Sequence, residues 1–235
     1  MGKNKLERWR EMKTFGNCVE PSTEDIKTGD YHLKGKWADS YFKNQNPVVL
    51  ELGCGKGEYT VAMAEMYPGK NFAGLDIKGA RIWRGAKTAY QRSASNVLFI
   101  RTRIEFITSF FAENEVDEIW ITFPDPFTRQ RDSGKRLTSP GFLNNYRSFL
   151  RHKGIVHLKT DNHELYKYTR RLAEANGLEI IAATSDLYTD MAGNDLLSVR
   201  THYESIFLKE GKKIHYLSFR LEKDKEIKDA TLITL

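Results

Sequence analysis

Cysteine is scarce in this chain: among 235 residues only Cys18 and Cys54 occur, far apart and in unlike surroundings. That scarcity excludes a disulfide framework and any paired-cysteine zinc or redox motif, and it makes a reducing cytoplasm the expected compartment. The six histidines, at 32, 152, 157, 163, 202 and 215, form no closely spaced pair or His/Cys cluster, so no metal is expected. No apolar run is long enough to span a bilayer. The first residues lack the apolar stretch of a secretory signal, and Leu6 breaks the myristoylation pattern that Met1-Gly2 would otherwise open. Internal repeats and long low-complexity linkers are missing as well. A soluble intracellular protein with no membrane partner and no metal is the expectation.

What remains is an ordinary folded composition, 40% hydrophobic and 29% charged, with enough length to bury a full core. Lys and Arg number 37 against 31 Asp and Glu, for a net charge of +6. The surplus is modest, and its placement says more. Lys3, Lys5, Arg8, Arg10 and Lys13 crowd the start, and Arg129, Arg131, Lys135 and Arg136 form a second cluster with few compensating acids. Cations grouped in this way suit a phosphate backbone. For residues 1–14 a solvated, disordered tail is the alternative.

Residues 1–40 are polar, basic and sprinkled with aromatics, without clear periodicity. From Pro47 strands and helices alternate. Strands are expected at 48–52, 71–76, 97–100, 119–123, 154–159 and 178–183. Helices are expected from Tyr59, over 79–92 with Ile82, Trp83, Ala86 and Tyr90 on one face, over 105–112 and 142–150, and over 164–175. His215–Arg220 reads as a final strand at the sheet edge. This alternation predicts an α/β, doubly wound sheet, mostly parallel with an antiparallel edge strand. Residues beyond Lys223 read as a loose, mixed-charge tail.

Three glycines, Gly53, Gly55 and Gly57, separate the first strand from its helix, letting the backbone turn tightly and approach a ligand closely. The spacing is GxGxG, where dinucleotide enzymes use GxGxxG. Glu51 also sits within the strand just before the glycines, where a carboxylate would face an ammonium group. Both features favour S-adenosylmethionine over a nicotinamide cofactor; a plain turn with a capping acid is the alternative. Asp76, ending the second strand, is placed to accept both hydroxyls of a ribose, or to cap the following helix. Of six prolines, Pro124 and Pro126 bracket Asp125 at the end of an apolar strand. Each ring fixes its own φ and restricts the residue before it, so Asp125 is expected to be pre-positioned at the edge where open α/β sheets bind ligands.

The block Leu50-Glu51-Leu52-Gly53-Cys54-Gly55-Lys56-Gly57 resembles the cofactor loop of the bacterial tRNA (guanine-46-N7)-methyltransferase family. Pro124-Asp125-Pro126-Phe127-Thr128-Arg129-Gln130-Arg131, followed by Lys135-Arg136-Leu137, resembles its most distinctive segment. Lys159-Thr160-Asp161-Asn162 and Thr201-His202-Tyr203-Glu204 complete four blocks in family order between about Gly35 and Arg220. The resemblance implies a Rossmann-like class I methyltransferase domain over 41–223, between a basic extension, 1–40, and a tail, 224–235. It also implies S-adenosylmethionine as cofactor and tRNA as partner, with methyl transfer to N7 of the variable-loop guanine at position 46. Carried over, Glu51, Gly53, Gly55, Asp76 and Asp125 would contact the cofactor, with Asp125 also catalytic. Arg129, Asp161, Thr201, His202, Tyr203 and Glu204 would contact the target nucleotide. Asp76 stands where the family commonly has Glu, Phe127 where Trp is frequent, and Arg129 where Lys is frequent. Arg101-Thr102-Arg103 replaces a stretch that often carries an acid near the adenine, which leaves the adenine contact unassigned.

Guanine N7 carries a free lone pair at neutral pH, so its methylation needs placement more than a base. A fixed carboxylate at Asp125 would stabilise the positive charge the ring acquires, and Asp161 and Glu204 would accept the N1 and N2 protons that distinguish guanine from adenine. Read without the resemblance, Asp161 is a helix cap and Glu204 a surface acid. A methyltransferase acting on another RNA guanine and a non-catalytic cofactor- and RNA-binding protein stay open as alternatives. An exocyclic-amine methyltransferase would carry Pro-Pro-aromatic where Asp125-Pro126-Phe127 stands. Monomer and homodimer are equally compatible with the sequence.

Overall fold

Val48–Leu52 (β2) is buried at every position, as is Asn71–Asp76 (β3), and such unbroken apolar runs form strands covered on both faces. In the computed structural model, which describes residues 3–191 and 193–230 and side chains from residue 6 onward, these strands belong to the first of two compact units, ending at Glu115. Met1, Gly2, the Lys3 and Lys5 side chains, and residues 231–235 of the expected tail lie outside the described residues.

The first unit holds four parallel strands, ordered β1 (Cys18–Val19), β4 (Val97–Arg101), β3 and β2. Its helices are α1 (Lys3–Met12), α2 (Thr23–Thr28), α3 (Glu58–Met66) and α4 (Gly79–Gln91). The stretch where helix 105–112 is expected forms a 3-10 turn, Ile104–Ser109. On α4 the buried face is Ile82, Gly85, Ala86 and Ala89; Tyr90, expected on that face, is 57% exposed and stacks on Phe15 with centroids 5.2 Å apart.

The aperiodic first 40 residues pack closely against this unit. Met12, Phe15, Tyr31 and Trp37 are buried, and the Trp37 indole donates to Phe110 O at 2.7 Å. Glu115 accepts from the backbone N–H of Gly35, Trp37 and Ala112 at 2.8–3.0 Å. Glu11 on α1 accepts from Trp83 and Lys87 on α4, both at 2.7 Å. The basic helix is therefore tied to α4 through this acid on its inner side.

The second unit, from Val116, has strand order β5 (Val116–Thr122), β6 (Leu150–Thr160), β8 (His215–Leu221) and β7 (Ile180–Thr184). β5 and β6 are parallel, while β8 runs antiparallel to both of its neighbours. An antiparallel strand is present as expected, but β8 lies inside the sheet and β7 takes the outer place. The reason is burial: β8 is covered at six of its seven positions, whereas β7 alternates between covered and open. Helices α5 (Pro140–Arg147), α6 (His163–Ala175), α7 (Leu187–Asp190), α8 (Asp195–Ser198) and α9 (His202–Lys209) complete the unit.

The segment after Lys223 is strapped down where a loose tail is expected. Asn144 exchanges two hydrogen bonds with the backbone of Ile227, both 2.9 Å, and Asn176 does the same with Lys228. Ile227 is buried.

Candidate functional site

The first unit's candidate site begins where β2 ends. Gly53, Gly55 and Gly57 take φ of 73°, 56° and 67°, left-handed values that L side chains rarely adopt. The glycines serve different ends. A Cβ on Gly57 would lie 2.5 Å from the Phe99 ring, so that position serves packing. At Gly55 a Cβ would meet nothing closer than 4.0 Å, which leaves its backbone open to a ligand. The loop is tied to β3 by Gly53 N and Cys54 N, which donate to Leu75 O at 2.8 and 3.0 Å.

Both expected acids join this loop. Asp76 accepts from Gly55 N at 3.0 Å and Lys78 N at 2.7 Å. Glu51, 1% exposed, accepts from Thr60 N at 2.9 Å and from the Thr60 hydroxyl. The Cys54 thiol between them is pushed up by burial and by the charges of Glu51 and Asp76. An open glycine backbone and two carboxylates at adjacent strand ends fit the ribose and ammonium groups of S-adenosylmethionine. Near Arg103, where no adenine contact is assigned, the guanidinium is turned to Glu105 at 2.9 Å. Arg101 pairs with Glu20 at 2.9 Å and lies over Trp9, beside a cavity of about 360 Å³ lined also by Ile77, Lys78 and Arg81.

The second unit's candidate site begins where β5 ends. Phe123 and Phe127 have φ of 48° and 41°, so two strained residues enclose Pro124-Asp125-Pro126. Strain of this size survives only when the surroundings over-determine it. Phe123 N donates to Lys159 O at 2.8 Å, and the Arg136 guanidinium donates to Pro126 O at 3.2 Å and Phe127 O at 3.0 Å. Asp125 itself is exposed, and among the described residues its carboxylate has no partner.

The basic loop is organised differently from its sequence reading. Buried Asp132 gathers Arg129 at 3.1 Å, Lys135 at 2.7 Å and, more loosely, Arg131 at 3.9 Å, with all three cations reaching solvent. Arg136 corrects the expectation of a phosphate contact: it is 8% exposed, bonded to the loop's own carbonyls and stacked over Tyr168 at 4.2 Å.

Asp161 pairs with Lys212 at 3.2 Å. The cap of α6 is Asn162, which accepts from Leu165 N at 2.8 Å, so the helix-cap reading of Asp161 falls. Thr201 caps α9 in a reciprocal box with Glu204, leaving His202 and Tyr203 exposed. Glu204, expected at the guanine edge, is enclosed: it is 0% exposed and its oxygens accept from Lys159 at 2.9 Å, Tyr188 Oη at 2.6 Å and Thr201 N at 3.3 Å. The sequence assigns no role to Lys159 or Tyr188, although a lysine directly after Ile155-Val156-His157-Leu158, still within its strand, is a visible signal. Phe123 and Phe207 rings 5.8 Å apart, with Lys212 4.4 Å from Phe207, bring the ends of β5 and β6 beside α9.

Among the described residues no helix is long and apolar enough to cross a membrane, and no cluster of three His, Cys, Asp or Glu could hold a metal. Residues 45–217 match the model of a family described as putative methyltransferase. A tRNA (guanine-N(7)-)-methyltransferase of Christiangramia forsetii is 48% identical over 94% of this chain and 99% of its own length. One of the same description from Bacteroides fragilis is 46% identical over 97% of this chain and 90% of its own. Among solved structures, the 16S rRNA methyltransferase KamB superposes with a TM-score of 0.59 at 15% identity, covering 87% of this chain and 95% of its own. An antibiotic-related methyltransferase gives 0.57 at 16%, covering 88% and 98%. At such identities these two structures show the fold: a Rossmann-like α/β sheet, mostly parallel, with antiparallel strands toward one end.

Proposed function

The chain belongs to the tRNA (guanine-N(7)-)-methyltransferase family, with relatives 46–48% identical over 94–97% of its length, and from that membership we propose that it methylates N7 of a tRNA guanine, the one at position 46 of the variable loop. It works as an enzyme of the cytoplasm, with S-adenosylmethionine as methyl donor. The observation that carries the reading is Asp125: an exposed carboxylate with no partner among the described residues, fixed between two strained phenylalanines.

When bound, the cofactor supplies an activated methyl on a sulfonium. Gly55 offers open backbone to it, Asp76 accepts the ribose hydroxyls, and Glu51 faces the ammonium end. In the second unit Asp125 acts on charge. Guanine is neutral before transfer and its imidazole ring is cationic afterwards, so a carboxylate fixed in advance favours the later species without costly reorganisation. No general base is required, because N7 presents a lone pair. Asp161 accepts hydrogen bonds from guanine N1–H and N2–H, and Thr201, His202 and Tyr203 line the nucleotide. Glu204 acts from behind them through its cap. Arg129, Arg131 and Lys135, gathered by Asp132 yet open to solvent, meet phosphates.

Nucleoside mass spectrometry of tRNA incubated with the protein and S-adenosylmethionine tests the proposal. 7-Methylguanosine should accumulate, and a transcript with adenosine at position 46 should remain unmodified. Methylation of that transcript at another guanine would overturn the position; no 7-methylguanosine in either would overturn the reaction.

A further inference from the structure

Lys159 is fully buried, and its ammonium spends three donors on three acceptors from one stretch of chain: Leu197 O at 2.8 Å, Val199 O at 3.0 Å and Glu204 Oε1 at 2.9 Å. Glu204 is equally buried. A pair of this kind is a weak source of net stability, because desolvating two charges offsets most of their attraction, and an apolar pair of similar volume is often as stable. What it supplies is geometry. Here the geometry is that of the segment running from α8 into α9. Asn194 caps α8 by accepting from Leu197 N at 3.0 Å, and Tyr188 Oη and the Thr201–Glu204 box bind the same carboxylate from other sides. Burial pulls the Lys159 pKa down and Glu204 pushes it back up.

We propose that Lys159 is a positioning residue for the target nucleotide: it fastens the 197–204 segment so that Thr201, His202 and Tyr203 are presented in place. Their contact with the nucleotide is the premise taken from the proposed function. Three observations meet in Lys159. It lies two residues before Asp161 on β6. Its own carbonyl holds Phe123 N, the entry to the Asp125 turn. Its side chain holds the start of α9. One residue thereby sets the register of Asp125, Asp161 and Thr201 together, and a displacement near 1 Å at such a site costs about a hundredfold in rate.

The test is Lys159→Met, which keeps length and removes the charge, with Lys159→Met/Glu204→Gln beside it so that no unpaired carboxylate is left buried should the single variant not fold. Three readouts are taken on the full chain: affinity for S-adenosylhomocysteine by calorimetry, kcat/KM for tRNA, and amide hydrogen exchange over 197–204. Expected are unchanged S-adenosylhomocysteine affinity, kcat/KM for tRNA lower by about a hundredfold, and faster exchange confined to that segment. Wild-type exchange and wild-type kcat/KM would overturn the proposal. Faster exchange with wild-type kcat/KM would overturn it through its premise, since the segment would not meet the nucleotide, while 7-methylguanosine formation by the wild-type enzyme would still stand. Loss of S-adenosylhomocysteine binding together with tRNA activity would mark a general structural role and overturn it as well.

Discussion

Arg136 donates to the carbonyl of Phe127 twice, from Nε at 3.2 Å and Nη2 at 3.0 Å. Phe127 has φ of 41°, so the guanidinium holds a strained turn closed directly behind Asp125. Arg131, five residues earlier, faces solvent. The two arginines should therefore fail differently. Arg131→Ala should flatten the log–log salt dependence of tRNA binding by roughly 0.7 to 0.9. Arg136→Ala should leave that slope alone and cost about 2 kcal/mol of stability, as buried hydrogen bonds from a charged group are lost. Salt titrations and thermal melts on both variants check this, and identical behaviour would refute it.

Asp125→Asn keeps shape and removes charge. Because Asp125 is exposed and has no partner among the described residues, stability should change by no more than about 0.5 kcal/mol in a thermal melt. Single-turnover methyl transfer should slow by about 10² to 10³ with little change in tRNA affinity. A near wild-type rate would reduce Asp125 to a strand-end residue.

Glu51 serves two ends, and two variants separate them. Glu51→Ala should weaken S-adenosylhomocysteine binding by about tenfold to a hundredfold and also lower the melting temperature, since Thr60 loses its acceptor. Thr60→Val should lower the melting temperature while sparing cofactor affinity. If calorimetry finds cofactor affinity untouched by Glu51→Ala, the acid is only the anchor of α3.

Cys18 is pushed up to about 12 from an ordinary 9.0, chiefly by burial, and Cys54 is pushed up as well. Disulfide-exchange reagents attack thiolates, so at pH 8 both thiols should react slowly in the folded protein and promptly once denaturant is added. Linkage gives the stability consequence. A thiol whose pKa is raised by folding contributes its full stability below the unfolded value of 9.0, and that contribution is lost as pH rises toward about 12. The melting temperature should thus fall across pH 9 to 12; fast labelling of Cys18 at pH 8 would contradict the premise.

Sequence reading succeeds where the determinant is local. The strand–glycine–helix succession at 48–66 and the prolines around Asp125 announce themselves within a few residues. It loses hold where the determinant is distant. Arg131 and Arg136 look alike in sequence, and only the Phe127 carbonyl and the Tyr168 ring make one of them internal. Glu204 reads as a surface acid at a helix start until Lys159 arrives from β6. The first 40 residues show no periodicity because their buried side chains come from short separate pieces of chain, Met12 from the end of α1 and Tyr31 and Trp37, stacked 5.8 Å apart, from the chain beyond α2. Positive φ at Phe123 and Phe127 could not be anticipated at all, since neither is a residue that favours it.

The placement of β8 has a consequence for synthesis. β7 is made first, yet among the described residues the only strand it pairs with is β8, which is translated about thirty residues later. A nascent chain paused between the two offers the ribosome's surroundings an unpartnered β7 with Ile181 facing out, and an equally unpartnered flank of β6. Such edges recruit other strands. Chaperone demand during translation should accordingly peak after β7 has emerged and end when the last strand slots between its neighbours, followed by the asparagine-held segment at 227–228.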